Sequence, residues 1–219
     1  CAAADNAEGA LGGASALALP ATLHASLLAR LDRLGPAAKQ VAQTGAAIGR
    51  EFSYELLGAV AGRNERDLQN ELARLVTSEL VSQRGAPPES VYTFKHALVQ
   101  DAAYSTVLRS RRQQLHAHIA TILESRFPEI VAAQPQVVAR HCAEAGLDEK
   151  AVGYWLKAGR QAVARSAMKE AVVQLQKGLS LLVALPDGPW RQQQELDLRF
   201  ALGQAQTATR GYAAPEVME

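Results

Sequence analysis

Residues 80–94 read "LVSQRGAPPESVYTF" and combine two short β-prone runs with a turn-forming centre. The runs cover Leu80 to Gln83 and Val91 to Phe94, and the second consists entirely of β-branched and aromatic residues. Gly and Pro dominate the stretch between the runs, which is typical of a chain reversal. This segment therefore predicts a β-hairpin, and the hairpin determines how the helical segments around it are interpreted.

The segments before the hairpin have helical spacing. Leucines recur every three or four positions from Pro20 onward, and a second helix is predicted at about residues 37–48. Ser53 is placed as the N-cap of a short third helix, and Asn64 as the N-cap of a fourth that runs to about Glu79. The sequence therefore predicts a group of small helices directly before the hairpin.

Three small helices followed by a β-hairpin is the order of a winged helix, in which the hairpin covers the open end of a helical core. We predict such a winged-helix-like module over residues 20–96. The Ala/Gly-rich tract at residues 1–19 has no periodicity and is predicted to be a flexible linker from a preceding domain.

Helical patterns continue after His96. A long helix is predicted to run to about Phe127, followed by a helix at about residues 135–145. A later segment has residues at the offsets of the tetratricopeptide repeat, with small side chains where two antiparallel helices approach closely. These residues are Trp155, Ala158, Gly159, Ala162, Ala171, Leu175 and Gly178. We predict a tetratricopeptide-like module of α-helical hairpins over residues 97–219, and expect the chain to be a piece of a longer protein.

The composition favours a mainly α protein without a strong global charge. Hydrophobic residues make up 48% of the 219 residues and aromatic ones 5%, so the core rests on small and aliphatic side chains. The net charge of +1 gives no general attraction to nucleic acid or to an anionic membrane. Two cysteines are too few for a disulfide framework, and we expect a cytoplasmic location without a membrane span.

No set of residues in the sequence has the pattern of a catalytic or metal site. The nearest approach to a phosphate-binding loop, "GAAIG" at residues 45–49, lacks the lysine of that motif. His116 and His118 are two apart on a helix and point in different directions, and His141 adjoins Cys142, so neither pair has the spacing of a helical metal site. We expect this chain to be no enzyme and to hold no cofactor or metal of its own.

The alternative to a regulatory role is a DNA-binding transcriptional regulator that uses the winged helix directly. Its recognition helix would be the fourth helix, which has four acidic residues against two basic ones between residues 64 and 80. A helix that lies among phosphates requires the opposite sign of charge. We therefore expect the chain not to bind nucleic acid. Steeply salt-dependent binding to duplex DNA would instead favour the DNA-binding regulator.

Five arginines and one histidine remain open between structural and functional roles. Arg30 and Arg33 lie on one side of the first helix, and either face solvent or contact an anion. The basic cluster at residues 109–112 allows the same two interpretations. His96 lies where strand becomes helix, and is either a buried ring bonded to backbone or a group that senses a bound ligand.

Two stretches carry a resemblance to a known family. Residues 19–60 and 92–120, and above all "FKHALVQDAAY" at residues 94–104, resemble the region that follows the ATPase domain in bacterial signal-transduction ATPases with numerous domains. The closest similarity is to large proteins in which an AAA-like ATPase follows an adenylate or guanylate cyclase domain; similar ATPases occur in transcriptional activators. The resemblance covers about residues 17–214.

The resemblance implies a role for His96. In the wider family, which includes apoptotic and plant-resistance ATPases, the histidine of this motif contacts the β-phosphate of ADP and holds a switch closed. Carried over, His96 would be the nucleotide contact, with Phe94 and Leu98 anchoring it. The family commonly has an acidic residue directly after the histidine, whereas this sequence has Ala97, so that acid's contact is missing.

The resemblance also implies partners. The preceding ATPase domain would supply ATP or ADP and Mg²⁺, the winged-helix-like module would dock on it, and the helical repeats would bind a protein partner. The expected function is therefore that of a non-catalytic regulatory and interaction region, which couples the state of a nucleotide domain to a cyclase or transcriptional output.

Overall fold

The computed structural model describes residues 21–210, with side chains from 24 to 209, and within them the fold is mainly α with a small antiparallel sheet. The elements are α1 (Ala21–Arg33), α2 (Gly35–Ile48), β1 (Glu51–Ser53), α3 (Tyr54–Ala61), α4 (Glu65–Thr77), β2 (Val81–Arg84), β3 (Val91–Phe94), α5 (Ala97–Ser105), α6 (Arg109–Arg126), α7 (Pro128–Ala133), α8 (Pro135–Glu144), α9 (Asp148–Ala164), α10 (Met168–Leu182) and α11 (Pro189–Arg210). The predicted linker at residues 1–19 and the final residues 211–219 lie outside the described part.

The predicted hairpin is confirmed, and it carries a third strand that the sequence did not indicate. The strand order is β1-β3-β2, and β3 pairs antiparallel with both neighbours. Phe52 lies opposite Tyr92, and their rings stack with centroids 5.9 Å apart. A Cβ on Gly45 would come within 2.8 Å of the Phe52 ring, so this glycine lets the strand lie against α2. Strand β1 has three residues, too few for periodicity to reveal it.

The predicted helix boundaries around α3 and α4 are confirmed by their caps. The Ser53 side chain accepts a hydrogen bond from the Leu56 N–H at 3.1 Å, and Asn64 accepts one from the Asp67 N–H at 2.9 Å. Gly62 ends α3 in the left-handed conformation, with φ at 59°. Each cap satisfies a backbone group that a helix end leaves unpaired. Helix α4 ends at Thr77, two residues before the predicted end.

The predicted long helix from His96 to Phe127 is wrong, because the chain breaks it between α5 and α6. The hydroxyls of Ser105 and Thr106 donate back to the carbonyls of Ala102 and Ala103 at 2.9 and 2.6 Å. Such local bonds compete with the helical ladder and favour its end. Leu108, which the sequence pattern assigned to the apolar stripe, is 76% exposed at the start of α6.

The antiparallel hairpin of α9 and α10 has the packing that the repeat pattern predicts. Trp155, Ala158, Ala162, Ala171 and Leu175 are buried, and a Cβ on Gly159 would overlap the Leu175 side chain. Helix α11 then packs on α10, where a Cβ on Gly178 would come within 2.9 Å of Leu198. Glycine at these contacts lets the helix axes approach closely.

Two hydrophobic clusters hold the described residues together. One runs from Leu27 to Trp155 and includes α5, α6 and α8. The other runs from Val152 to Ala205 within α9, α10 and α11. The first cluster continues across residues 96 and 97, so burial does not mark a boundary there, and the division of the chain into two modules stays a prediction.

Candidate functional site

His96 lies between β3 and α5 on the surface of the protein. Its backbone is extended, with φ at −133° and ψ at 142°, and its side chain makes no capping hydrogen bond. Phe94 is fully buried just before it, and Leu98 is half-buried just after it. The residue itself is exposed, so the alternative of a buried core histidine is wrong. The ring is available to a group outside the described residues.

Arg30 and Arg33 serve the helices around them. An Nη2 N–H of Arg30 donates to the carbonyl of Ser78 at 2.7 Å, which satisfies an acceptor at the C-terminal end of α4. The Nε N–H of Arg33 donates to the carbonyl of Ala29 within its own helix at 3.3 Å. Neither bond involves His96, so within the described part the three predicted site residues are not joined by hydrogen bonds.

The basic cluster at the start of α6 is divided between structure and solvent. The Nε N–H of Arg112 donates to the carbonyl of Val107 at 2.7 Å, and its Nη2 group donates to Ser105 at 3.0 Å. The same guanidinium lies 4.5 Å from the centre of the Tyr104 ring, in cation–π geometry. Arg112 therefore closes the break after α5, whereas Arg109 and Arg111 are exposed.

Sequence reasoning missed a polar chain that connects α5, α6 and α8. The Tyr104 hydroxyl lies 2.8 Å from His116 Nε2, and His116 Nδ1 lies 2.8 Å from His141 Nδ1. Arg140 Nη2 lies 3.5 Å from His141 Nε2. His116 is 4% exposed and His141 fully buried. The two histidines are 25 residues apart on different helices, so spacing within one helix cannot reveal the pair.

The donor and the acceptor in each hydrogen bond of this polar chain follow from the chemistry of Arg140 at its end. A guanidinium only donates hydrogen bonds, so His141 Nε2 is the acceptor and its Nδ1 carries the proton. That proton is donated to His116 Nδ1, and His116 Nε2 then donates to the Tyr104 oxygen. Both rings are neutral in this arrangement. Burial, followed by the charge of Arg140, lowers the pKa of His116 to about 4 and that of His141 to about 3.

A cavity of about 160 Å³ lies beside the polar chain. Gln100, Asp101, Tyr104 and His116 line it from α5 and α6, and Glu144 from α8. Burial, followed by the charge of Glu144, raises the pKa of Tyr104, so the phenol keeps its proton at neutral pH. The cavity therefore has a protonated phenol and a neutral imidazole beside two carboxylates.

Two side chains tie this region to the C-terminal end of α2. An Nη2 N–H of Arg140 donates to the carbonyl of Ile48 at 2.6 Å, and the Gln100 side chain donates to the carbonyl of Ala46 at 3.1 Å. A donor near a helix C-terminus satisfies carbonyls that have no partner within the helix. Helices from the predicted repeat module are thus bonded directly to the predicted winged-helix-like module.

Residues 21–210 also include a cysteine, Cys142, on α8. The thiol of Cys142 is buried, and burial followed by the charge of Glu124 raises its pKa to about 11. Across these residues, no group of three or more His, Cys, Asp or Glu side chains is arranged to hold a metal ion.

Between residues 21 and 210, no helix is both long and apolar enough to cross a lipid bilayer.

The fourth helix presents the acidic residues of its first turn to solvent. Leu68, Leu72 and Leu75 of α4 are buried against the core, whereas Glu65 and Asp67 are exposed in its first turn. Glu71 pairs with Arg74 at 3.1 Å, which occupies one of the basic side chains of the helix. The exposed first turn therefore has Glu65 and Asp67 on either side of Arg66, with one negative charge in excess.

Comparisons with known proteins give one informative similarity. No family model matches the chain, and no solved structure matches it. An uncharacterized protein of Rhizobium meliloti (strain 1021), R02095, is 30% identical over 189 residues. The similarity covers 86% of this chain but 18% of that protein, so the chain spans a small part of the length of the relative.

Proposed function

We propose that this chain is a non-catalytic regulatory and protein-interaction region of a multidomain signal-transduction ATPase. Its first module would dock on a preceding nucleotide domain, and its helical hairpins would bind a protein partner. The nucleotide domain, with ATP or ADP and Mg²⁺, would provide the chemistry, and the output would be a cyclase or a transcriptional response. The observation that carries the proposal is the exposed ring of His96 at a rigid junction.

The surroundings of His96 suit a contact with a phosphate. The Lys95 N–H donates to the Leu80 carbonyl at 3.1 Å, and the Val99 N–H donates to the His96 carbonyl at 3.0 Å. These bonds and the buried Phe94 fix the backbone on both sides, while the ring itself stays exposed. An imidazole N–H held in this way can donate to a phosphate oxygen of a docked domain. Ala97 stands where the resembling family has an acid, so the contact made by that acid is missing in this chain.

Contacts between the two predicted modules would let the nucleotide bound to the preceding domain affect the helical repeats. Arg140 and Gln100 bond to the end of α2, and the polar chain links α5, α6 and α8. A docked nucleotide domain that favours one arrangement of the first module would therefore act on helices packed against it. The length of the R. meliloti relative supports the idea that such a region occurs inside a larger protein.

The test is nucleotide retention by a chain that carries the preceding nucleotide domain. We expect His96→Ala to release ADP faster and to raise basal output, because the phosphate loses one hydrogen-bond donor. Unchanged ADP retention in the variant would contradict the nucleotide-sensing role.

A further inference from the structure

A groove between α8 and α10 has unpaired positive charge beside an apolar floor. It has a volume of about 380 Å³, within the range of ligand pockets, and we call it the α8–α10 groove. Its lining includes Val137 and Arg140 from α8, Trp155 from α9, and Val173, Gln174 and Lys177 from α10. Val173 is 51% exposed, so the lining of the groove includes an apolar side chain that is open to a ligand.

The cations of the groove lack carboxylate partners. Lys177 is exposed, with its Nζ 4.8 Å from the centre of the Trp155 ring. Among residues 24–209, neither Lys177 nor Arg140 has a carboxylate oxygen within 4.0 Å. Glu144 attracts Arg140 electrostatically but forms no ion pair with it. The groove therefore has two positive groups available to a negatively charged ligand.

The one acidic side chain in the lining is already engaged. Glu170 lies 3.5 Å from Arg165 Nη2 and accepts a hydrogen bond from the Gln174 side chain at 2.7 Å. Gln174 is 5% exposed, and its Oε1 has no hydrogen-bond donor among the described residues. A buried acceptor without a donor is uncommon in folded proteins. An N–H group of a bound peptide is the kind of donor that this amide lacks.

We propose that the α8–α10 groove binds a peptide segment of a partner protein that carries an acidic side chain next to apolar ones. The carboxylate would lie between Lys177 and Arg140, and the apolar side chains would cover Val173 and Val137. Charge complementarity selects this occupant over a basic or purely apolar one. This inference rests on the proposed partner-binding role of the repeats and specifies the chemistry of the partner.

Arg140 also gives the groove a link to the rest of the protein. The side chain that lines the groove donates to the Ile48 carbonyl and also lies against the cavity of Tyr104 and His116. Since a guanidinium has several N–H donors, it can hold Ile48 and a ligand together. A peptide bound here therefore contacts a residue that joins α8 to α2.

The experiment selects random short peptides on the immobilised 219-residue chain and measures the affinity of the enriched peptides by fluorescence anisotropy. We expect enriched peptides to contain Asp or Glu beside aliphatic residues, and amidation of that acid to weaken binding about tenfold or more. Lys177→Glu should weaken binding at least as much. Lys169→Glu is the matched control, because Lys169 is exposed on the same helix outside the groove, and should leave affinity unchanged.

Enrichment of peptides without acidic residues, or no enrichment, would overturn the proposal. Equal affinities of the Lys177→Glu and Lys169→Glu chains would overturn it as well. Since the experiment needs no nucleotide domain, its failure leaves the role of His96 intact, and unchanged ADP retention in the His96 variant leaves this groove intact.

Discussion

His116 Nδ1 and His141 Nδ1 lie 2.8 Å apart in the interior of the protein, so one nitrogen must donate and the other accept. In the assigned arrangement both rings are neutral, because a proton on His116 Nδ1 would face the N–H of His141, and a proton on His141 Nε2 would face the Arg140 guanidinium. Tyr104 faces the pair from α5, Arg112 from α6, and Arg140 and Glu144 from α8. The charge of Arg140 opposes protonation of both rings, and that of Arg112 opposes protonation of His116.

The histidine pair predicts a loss of stability in mild acid. The pKa values of about 4 and about 3 lie below the ordinary value of 6.5, so the folded state favours the neutral rings. The stabilisation is complete above pH 6.5 and is lost as the pH falls from there toward the folded values. We expect the free energy of unfolding to fall by up to about 1.4 kcal/mol per pH unit for each ring, measured by urea unfolding.

His141→Gln tests whether the pair causes this dependence. The variant should show a shallower loss of stability between neutral pH and about pH 5, since one titrating ring is removed. His118 is exposed on the same helix as His116, so His118→Gln should keep the slope of the wild-type protein. Identical slopes for the His141→Gln and wild-type chains would show that another group controls the acid response.

The close contact between α9 and α10 predicts opposite effects at two glycines of one helix. A Cβ at Gly159 would overlap the Leu175 side chain, so Gly159→Ala should destabilise the protein by about 1–3 kcal/mol. Gly153 is exposed, with no atom within 4 Å of an added Cβ. Gly153→Ala should therefore stabilise α9 by up to about 1 kcal/mol through helix propensity. Thermal unfolding measures both, and equal shifts would refute the packing argument.

The first turn of α4, where Glu65 and Asp67 flank Arg66, predicts that this helix does not bind DNA tightly. We expect the 219-residue chain to show no steeply salt-dependent binding to duplex DNA in a mobility-shift assay, because exposed carboxylates at Glu65 and Asp67 repel phosphates. Arg66→Ala should change nothing measurable. Tight binding that falls steeply with salt and is weakened by Arg66→Ala would favour the DNA-binding regulator instead.

Features that depend on local chemistry could be predicted from the sequence. The caps at Ser53 and Asn64 and the antiparallel pairing of β2 with β3 follow from residues within a few positions of each other. The short strand β1 could not be predicted, because its three residues form a strand only by pairing with β3 from residues 91–93. The break after α5 had a local signal, the adjacent hydroxyls of Ser105 and Thr106, that hydrophobic spacing outweighed.

At the candidate sites, too, features that depend on neighbouring residues could be predicted from the sequence, and contacts between distant residues could not. The motif placed His96 correctly at a strand-to-helix junction, whereas the exposure of its ring required coordinates. The His116–His141 contact joins two helices, so spacing within one helix could not identify it. The position of His116 on its helix nevertheless indicated that the ring needs a partner. His116 shares the buried face of Ile119 and Leu123, which is where an unpaired polar ring would not be tolerated. A buried histidine on one helix therefore implies a partner on another, although spacing cannot identify it.

The dissociation rate of ADP from a chain that carries the preceding nucleotide domain tests the central claim most directly. His96→Ala should release ADP about tenfold faster or more than the wild-type protein, as expected for the loss of one hydrogen bond to a charged group. His118→Ala, which removes an exposed histidine on α6, should release ADP at the wild-type rate. If both variants release ADP as slowly as the wild-type protein, His96 does not contact the nucleotide and the proposed switch is wrong.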